Sequence, residues 1–401
     1  MPRAGVPAAP GGRDEAGMSA AYWRRAMNGG ASSAGAGGAL PETPSAVPAT
    51  HLRATAWWRA IRLRHVLVML ALLVYPWVAS PFFTFQIAGQ ALVLGLIALS
   101  LTLLAGYGGM VSLAQMTVAG IAGYVVAIFG TSAADHISLG WPWWAGVILA
   151  LGFAVAAGAF TGWLSVRTEG IYTIMITLSI GVAFYYFCLQ NVDLFNGFQG
   201  FQKVLPPNLF GLDWREPVPF YHLALFWALA GYFLVKHVLR APFGLALQGV
   251  RDNARRMNAL GFDVNAHRIA AYALAGLIAG VGGILLTWYN TLTTPTSINV
   301  GKMIVILVVA ILGGIRHPIG PFIGAVVFVL MQTFGMDVAS QVLGDWARDR
   351  FNSVIGVVFL LIVLFSPDGL LGWWAAFRAR WLSGRRTEWS TPRHSPQQQG
   401  R

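Results

Sequence analysis

Apolar runs of about twenty residues recur along the chain between residues 66 and 371. A run of that length matches what an α-helix needs to cross the hydrocarbon core of a bilayer, because each residue advances about 1.5 Å through a core of about 30 Å. Hydrophobic residues make up 56% of the 401 residues and charged residues only 10%, whereas roughly a quarter are charged in soluble domains. The sequence therefore predicts an all-α polytopic integral membrane protein.

The runs predict about ten transmembrane helices. They are Val66–Phe83, Gln86–Ala105, Ser112–Gly130, Trp143–Leu164, Ile171–Gln190, Phe220–Leu239, Ile269–Tyr289, Met303–Ile315, Ile319–Gly335 and Val354–Leu371. The eighth is too short for a comfortable crossing. With the ninth it predicts a hairpin or a re-entrant pair, because backbone breaks at membrane depth are tolerated where protein buries them.

Composition divides the chain into four regions. Residues 1–50 are rich in Gly, Ala, Pro and Ser without hydrophobic periodicity, which predicts a disordered tail in which Met18 or Met27 is as suitable a start as Met1. Residues 51–65 are basic and contain two tryptophans, as interfacial segments do. Residues 66–372 form the predicted membrane domain, and 373–401 a basic tail.

The net charge of +12 is concentrated in the two tails and in the loop Arg240–Arg268. Cytoplasmic loops of membrane proteins carry such an excess of Lys and Arg, so both termini and this loop are predicted to be cytoplasmic. The charge does not indicate nucleic acid, because it borders the spans. Anchorage to anionic lipid headgroups is the alternative use of these arginines.

The loop Arg240–Arg268 has the pattern of a short amphipathic helix over about Leu245–Leu260. Its apolar residues recur at steps of three or four and form one stripe: Leu247, Val250, Ala254, Met257 and Leu260. Arg251 and Arg255 occupy another face, and Gly261 is positioned to end the helix in a left-handed cap. The pattern is typical of a docking element for a soluble protein; a membrane-surface helix without a partner is the alternative.

Two glycine-rich stretches, Leu104–Ile128 and Ile311–Val327, lie within the apolar runs and loosely resemble each other, as internal repeats of transporters do. Small residues let helix backbones approach closely. Close packing is therefore predicted at Gly106, Gly109, Gly120, Gly123, Gly313, Gly314, Gly320 and Gly324. A broken helix start and polar side chains at membrane depth also predict part of a solute pathway. Its candidate residues are Ser112, Gln115, Thr117, Thr173 and Thr177.

The sequence lacks the motifs of several other functions. The predicted spans are nearly free of Asp, Glu, Lys and Arg, whereas ion-coupled carriers bury a carboxylate. Gly301-Lys302-Met303 lacks the hydroxyl residue of a nucleotide-binding loop, no His-Glu-x-x-His occurs, and Cys188 is the single cysteine. No catalytic residue, metal site or resident cofactor is predicted, and an energy source outside this chain is the better hypothesis.

Four blocks of sequence together resemble the LivM-like permease subunits of ABC importers for branched-chain amino acids. Gly106–Tyr124 is similar to the family's glycine-broken span, and Arg240–Phe262 to its cytoplasmic coupling loop. Ile311–Ala325 and Ser366–Gly372 are similar to its late glycine-rich hairpin and its closing signature. The resemblance extends over about residues 66–372.

The resemblance implies a permease domain that performs no chemistry of its own. The implied partners are a second permease subunit, two ATP-binding subunits that hold ATP and Mg²⁺, and a periplasmic or lipid-anchored solute-binding protein. The implied location is the bacterial inner membrane, where a coupling helix passes ATPase motion to alternating access. The candidate coupling residues are Phe243, Gly244, Leu247, Val250, Arg251, Asp252, Asn253, Met257, Leu260 and Gly261.

Two departures from the family pattern affect the details. Arg255, Arg256 and Met257 stand where the family has small or acidic residues, which bears on ATPase docking. The turn Phe195–Gly200 lacks the hydroxyls and the acid of the family's turn, so urea or another short amide is a second hypothesis for the solute. A secondary transporter or channel without an ATPase is the hypothesis of another class, and a purely structural membrane subunit is a third.

Overall fold

The computed structural model of the chain describes residues 63–130, 132, 137–168, 170–207, 211, 213–343, 356 and 369–372. The chain divides into two compact units, 1–65 and 66–401, and nearly all of the described residues belong to the second. The predictions for the tail 1–50, for most of the lead-in 51–65, for most of Val354–Leu371 and for the tail 373–401 lie outside the described residues.

The described elements follow one another as mostly long helices. In chain order they are α1 Leu63–Val78, a π-helical segment Phe83–Gly89, α2 Gln90–Thr102, a second π-helical segment Leu103–Tyr107, α3 Gln115–Phe129, α4 Trp143–Ser165, α5 Ile171–Gln190, α6 Val192–Phe195, β1 Phe201–Gln202, α7 Pro217–Arg240, α8 Pro242–Asp252, α9 Ala254–Ala259, α10 Val264–Asn290, β2 Leu292–Thr293, a 3₁₀ turn Pro295–Ile298, α11 Val300–Gly313 and α12 Gly320–Leu343.

Within the described ranges, helices fall into two length classes. Those long and apolar enough to cross a membrane are Phe83–Tyr107, Trp143–Ser165, Ile171–Gln190, Pro217–Arg240 and Val264–Asn290. Shorter apolar helices are Leu67–Val78, Gln115–Phe129, Val300–Gly313 and Gly320–Gly335. The predicted helical class is confirmed, and the number of about ten spans stays a prediction. One feature departs from an all-α fold: β1 and β2 pair antiparallel, with Phe201 opposite Thr293.

The connections between the long helices meet at two ends. The end that contains Arg240–Arg268, here called the basic end, also holds the α2–α3 and α11–α12 connections. Arg251 donates to the carbonyl of Gly106, and the Tyr107 hydroxyl donates to the carbonyl of Arg316, both at 2.8 Å. At the opposite end, β1 and β2 join the connection after α6 to the connection after α10. The basic loop and the start of both glycine-rich stretches therefore lie at one end of the bundle, and the β1–β2 pair lies at the other.

The helices α4 and α10 pack through small residues. The buried positions of α4 recur every four residues at Ala150, Ala154 and Gly158, which brings them onto one face. A Cβ added at Gly158 would lie 3.0 Å from the Cα of Gly276, and one added at Gly280 would lie 2.5 Å from the Cβ of Ala154. Such close approach is how helices associate in lipid, where burial of apolar surface gives little driving force.

The eighth and ninth predicted runs form a hairpin of two closely packed helices, α11 and α12. A Cβ added at Gly313 would collide with the carbonyl oxygen of Gly320, and one added at Gly324 with that of Val309. The α11 helix starts directly after the 3₁₀ turn Pro295–Ile298, whose Ile298 is buried. The eighth predicted run is therefore short because the turn Pro295–Ile298, which is not α-helical and is covered by protein, precedes α11.

Candidate coupling and translocation site

The segment predicted to form one amphipathic helix over Leu245–Leu260 consists instead of two short helices, α8 and α9. They are separated at Asn253, whose backbone is extended (φ −159°, ψ 96°). The Asn253 side-chain oxygen accepts a hydrogen bond from the Arg256 N–H at 2.9 Å, which caps α9. The prediction of a continuous helix is wrong because this asparagine caps a new helix rather than continuing the old one.

The break divides the predicted apolar stripe. Leu247 and Val250 are 0% and 1% exposed, so they belong to the interior of this chain, and the prediction that they bury against a partner is wrong. Leu247 lies beside Gly108, and Met257 packs on Gly249. Leu260, by contrast, is 68% exposed. The α8 helix therefore lies with its apolar face on the membrane helices, and the exposed part of the stripe is at the end of α9.

The helix α9 ends as predicted, in a left-handed glycine cap. Gly261 has φ +88°, the Phe262 N–H donates to Met257 O at 3.1 Å, and the Gly261 N–H donates to Asn258 O at 3.0 Å. These two bonds form a Schellman motif, which satisfies carbonyls left without helical donors. The His267 ring stacks on Phe243 at a centroid distance of 5.7 Å, which holds the start of α8 against α10.

Arg251, in the last turn of α8, bonds within the chain. Its Nη1–H donates to the carbonyl of Gly106 at 2.8 Å, and its Nε–H and Nη2–H donate to Asp252 Oδ1 at 3.0 and 2.9 Å. The side-chain stem crosses Gly109, where an added Cβ would lie 2.6 Å from Arg251 Cγ. Arg251, one of the candidate coupling residues, therefore contacts the first glycine-rich stretch as well as the acidic Asp252 beside it.

The four blocks that carry the family resemblance meet around these contacts. Gly106 approaches the carbonyl of Ile315 so closely that a Cβ there would collide with it. A Cβ at Gly369 would lie 2.6 Å from the Cα of Gly314. We call this cluster the basic-end joint: Gly106–Gly109, Leu247–Arg251, Gly314–Arg316 and Gly369.

The five candidate pathway residues are all buried, and the structure joins most of them to neighbouring helices. The Ser100 hydroxyl, which has a single hydrogen, is shared between Ile97 O at 2.6 Å and Gln115 Oε1 at 3.0 Å. The Leu113 N–H, freed by the break before α3, donates to Thr177 Oγ1 at 3.1 Å. Gln115 and Thr177 thus bind α3 and the break to α2 and α5.

The other candidates lie in the same region but make different contacts. Thr117 faces Gly181 of α5, where an added Cβ would lie 2.8 Å from Thr117 Oγ1. Thr173 donates to the carbonyl of Thr168 at 3.0 Å and so bonds within its own helix start. The Tyr272 hydroxyl lies near the hydroxyls of Ser165 and Ser112, although none of the three makes a hydrogen bond of good geometry within the described part of the chain.

Two polar residues near this region were not predicted, Ser100 and Tyr272. Both are fully buried and face residues that the sequence did single out. The available signal for Ser100 was a serine near the middle of the mostly apolar run Gln86–Ala105, because a hydroxyl at membrane depth needs a partner. Tyr272 gave no such signal, since tyrosine is common at the ends of spans.

Among the described residues, no Asp, Glu, Lys or Arg is buried as a whole, but the Nε atom of Arg268, near the start of α10, is buried. The buried polar groups are serines, threonines, tyrosine hydroxyls and Gln115, and among described residues no group of three His, Cys, Asp or Glu could hold a metal ion. A cavity of about 490 Å³ opens at the opposite end, lined in part by Trp141, Trp143, Asp213 and Arg215. Charged groups therefore lie at the ends of the bundle.

A family model described as branched-chain amino acid transport system / permease component matches residues 83–364. The chain belongs to this family. The resemblance seen in the sequence is thus confirmed, and the permease is a multi-pass membrane protein of a transport family rather than of a family of enzymes.

Individual relatives of the permease agree with the family. It is 23% identical over 332 residues to the high-affinity branched-chain amino acid transport system permease protein LivM of Escherichia coli K12, covering 76% of this chain and 74% of the relative. It is 26% identical over 237 residues to a probable LivM of Methanocaldococcus jannaschii, covering 56% and 67%. It is 31% identical over 137 residues to the nucleoside ABC transporter permease NupC of Lactococcus lactis, covering 34% and 41%. No solved structure matches.

Proposed function

We propose that the permease is the membrane subunit of an ATP-driven importer. Two ATP-binding subunits dock on the cytoplasmic loops of this chain and of a second permease subunit, one of them on α8–α9 of this chain. The observation that carries the proposal is the exposed apolar surface of this basic segment: Leu245 is 62% exposed, Leu260 68% and Phe262 41%. Apolar side chains of this size in a water-facing loop indicate a protein partner. The arginines around them indicate that the loop is cytoplasmic, where ATP is available.

The energy source is the bound ATP of the partners, which also hold Mg²⁺. No Asp or Glu is buried among the residues whose burial is described, and an ion-coupled carrier usually buries such a carboxylate. This supports an external motor over the hypothesis of a secondary transporter or channel. ATP binding moves α8–α9, and the bundle alternates between an outward-open and an inward-open state.

The solute passes beside the break before α3. Ser112, Gln115, Thr117, Thr173 and Thr177 are at most 5% exposed, so the path is closed in this conformation. Opening it requires separation of α3 from α5, which would break the bond between Leu113 N–H and Thr177. A second permease subunit supplies the other wall, and a periplasmic or lipid-anchored binding protein delivers solute over the cavity at the opposite end.

We propose branched-chain amino acids as the solutes, because relatives along most of the chain carry that name. Urea or another short amide is the competing hypothesis, which the altered turn Phe195–Gly200 raised. Uptake of leucine, isoleucine, valine and urea into proteoliposomes that contain the whole complex separates the two. Uptake of urea alone would contradict the amino-acid assignment and leave the ATP-driven mechanism intact.

The docking proposal is tested by the double variant Leu245→Ser/Leu260→Ser. Full burial of one leucine contributes about 1.5–3 kcal/mol, so we expect co-purification of the ATP-binding subunits to fall at least about tenfold. Leu139→Ser, at a leucine that is 52% exposed at the opposite end, is the matched control and should have no effect. Undiminished co-purification of the double variant, or uptake by the permease without the ATP-binding subunits, would contradict the proposal.

A further inference from the structure

Arg251 differs from the other arginines of α8–α9 in what it contacts. Its guanidinium bonds to Gly106 O and Asp252, whereas Arg255 and Arg256 are exposed and make no side-chain hydrogen bond or ion pair within the described residues. Asp252 Oδ1 accepts from Arg251 Nε–H and Nη2–H. These two bonds fix the planar guanidinium so that Nη1–H points at the carbonyl of Gly106. Arg251 therefore links α8 to the membrane helices, although its side chain is still 37% exposed.

The acceptor of this bond lies at the place where two helices separate. Gly106 is in the π-helical turn that ends the span Phe83–Tyr107, and the last carbonyls of a helix lack donors within it. The Met110 N–H reaches back to Leu104 O at 3.0 Å, which leaves the Gly106 carbonyl to Arg251. The arginine thus supplies the donor that the helix end is missing.

The path of the Arg251 side chain requires the glycine beside it. Gly109 has φ +70°, a conformation that L side chains rarely adopt, and its missing Cβ makes room for the Arg251 stem. Four residues further on, the Leu113 N–H donates to Thr177 Oγ1 of α5. A shift of Arg251 therefore reaches the candidate pathway over a few residues of irregular backbone.

We infer that Arg251 is a positioning residue that passes movement of α8 to the break between α2 and α3. The inference rests on the proposed function, in which a motor moves α8–α9 from the cytoplasm. It assigns separate roles to two sides of one segment. Leu245 and Leu260 bind the motor, and Arg251 with Gly109 connects the segment to the pathway.

The experiment compares Arg251→Ala with Arg255→Ala in the complete transporter in proteoliposomes. For Arg251→Ala we expect co-purification of the ATP-binding subunits within about twofold of wild type and retained ATP hydrolysis. Leucine transported per ATP hydrolysed should fall at least about tenfold, as expected for loss of a hydrogen bond from a charged donor. Arg251→Lys keeps a charged donor but cannot bind in the same two-pronged manner, so it should recover part of the coupling. Arg255→Ala should match wild type.

A second pair of variants tests the glycine. Gly109→Ala places a Cβ against Arg251 and should uncouple transport in the same way. Gly170→Ala is the matched control, because Gly170 has a similar φ of +62° but nothing within 4 Å of the added Cβ. Equal loss of coupling in both variants would mean that backbone strain, and not the Arg251 contact, is responsible, and would overturn the inference.

A readout that needs no solute keeps the inference separate from the proposed function. A cysteine at the buried Met110, in a Cys188→Ala background, should change its maleimide reactivity when ATP is added, and Arg251→Ala should abolish that change. Loss of ATPase co-purification in Arg251→Ala, or coupling and labelling equal to wild type, would overturn the inference. If Arg251→Ala does not fold, Arg251→Lys decides the question, with unchanged coupling counting against it. Absence of ATP-dependent uptake of leucine, isoleucine, valine and urea by wild type would refute the proposed function alone.

Discussion

The two glycine-rich stretches look alike in sequence but pack in opposite ways. Glycines of Leu104–Ile128 approach residues far along the chain, such as Arg251, Ile298 and Thr287. Glycines of Ile311–Val327 approach one another and their own hairpin. Glycine density therefore predicts where backbones come close but not which segments meet. The glycines of the first stretch connect several parts of the molecule, and those of the second mainly hold the two helices of their own hairpin together, while the turn Gly314–Arg316 also contacts Gly106 and Gly369.

The largest effect is expected within the second stretch, from Gly324→Ala. The added Cβ would meet the carbonyl oxygen of Val309 and lie 2.7 Å from the Gly313 nitrogen. Backbone atoms cannot turn aside, so we expect a loss of stability of about 3 kcal/mol or more, at the upper end of overpacking effects. Cys188 is the single cysteine and is buried, so its reaction with a maleimide during heating in detergent reports unfolding.

The matched control for Gly324→Ala is Gly152→Ala in α4. Gly152 is within a helix and has nothing within 4 Å of an added Cβ, so the substitution should be neutral or stabilise by about 0.5–1 kcal/mol. A Gly324→Ala protein that unfolds at the same temperature as the control would mean that the α11–α12 hairpin is more loosely packed than these distances indicate.

A smaller effect is expected in the first stretch, from Gly120→Ala. Here the added Cβ would meet the Cγ2 methyl of Ile298, a side-chain atom that a second substitution can remove. We expect a cost of about 1–2 kcal/mol in the same thermal assay. The variant Ile298→Ala removes that methyl and leaves a Cβ–Cβ distance of 3.4 Å.

The double variant Gly120→Ala/Ile298→Ala therefore decides how the first stretch packs. It should be more stable than the sum of the two single variants by about 1 kcal/mol or more, as for residues in direct contact. Strict additivity would mean that these residues do not touch, and the contrast between side-chain packing in one stretch and backbone packing in the other would be lost.

The smallest effect is expected from Ser100→Ala. The first stretch contains a buried polar side chain, Gln115, and the second has no counterpart among its buried residues. Removal of the Ser100 hydroxyl takes away a partner of Gln115, which should cost about 1 kcal/mol, the usual size of such bonds between membrane helices. Gln115→Leu/Ser100→Ala removes both partners, so in the thermal assay it should regain the stability that Ser100→Ala alone loses. If it does not, the bond to Ser100 is not what Gln115 contributes to stability.

Much of the helical layout could be predicted because apolar length is decisive in a membrane. The run Ile171–Gln190 coincides with α5, and the predicted start of the fourth run coincides with the first residue of α4. The cap at Gly261 was predictable because a left-handed residue after a helix favours glycine. These features depend on local physical rules that a single segment obeys by itself.

The features that could not be predicted depend on contacts between distant segments. Asn253 is a residue that can cap a helix, but the apolar period continues through it, so the sequence alone favours one helix. Only the structure, in which Leu247 is buried and Leu260 exposed, shows that the two halves pack differently. The orientation of Arg251 toward Gly106 depends on a contact between residues 145 positions apart. The pairing of β1 with β2 could not be predicted because strands of two residues leave no period to detect.

The pairing of β1 with β2 has a consequence for how this molecule can change in evolution. Because Gln202 is opposite Leu292, the stretch 203–291 departs and returns at adjacent points. Within that stretch α10 is packed on α4 through glycines and alanines, whereas Leu245, Leu260 and Phe262 are exposed. A lineage can therefore acquire a different companion protein through substitutions at those exposed positions, while exchange of the whole stretch would require a new interior for the bundle.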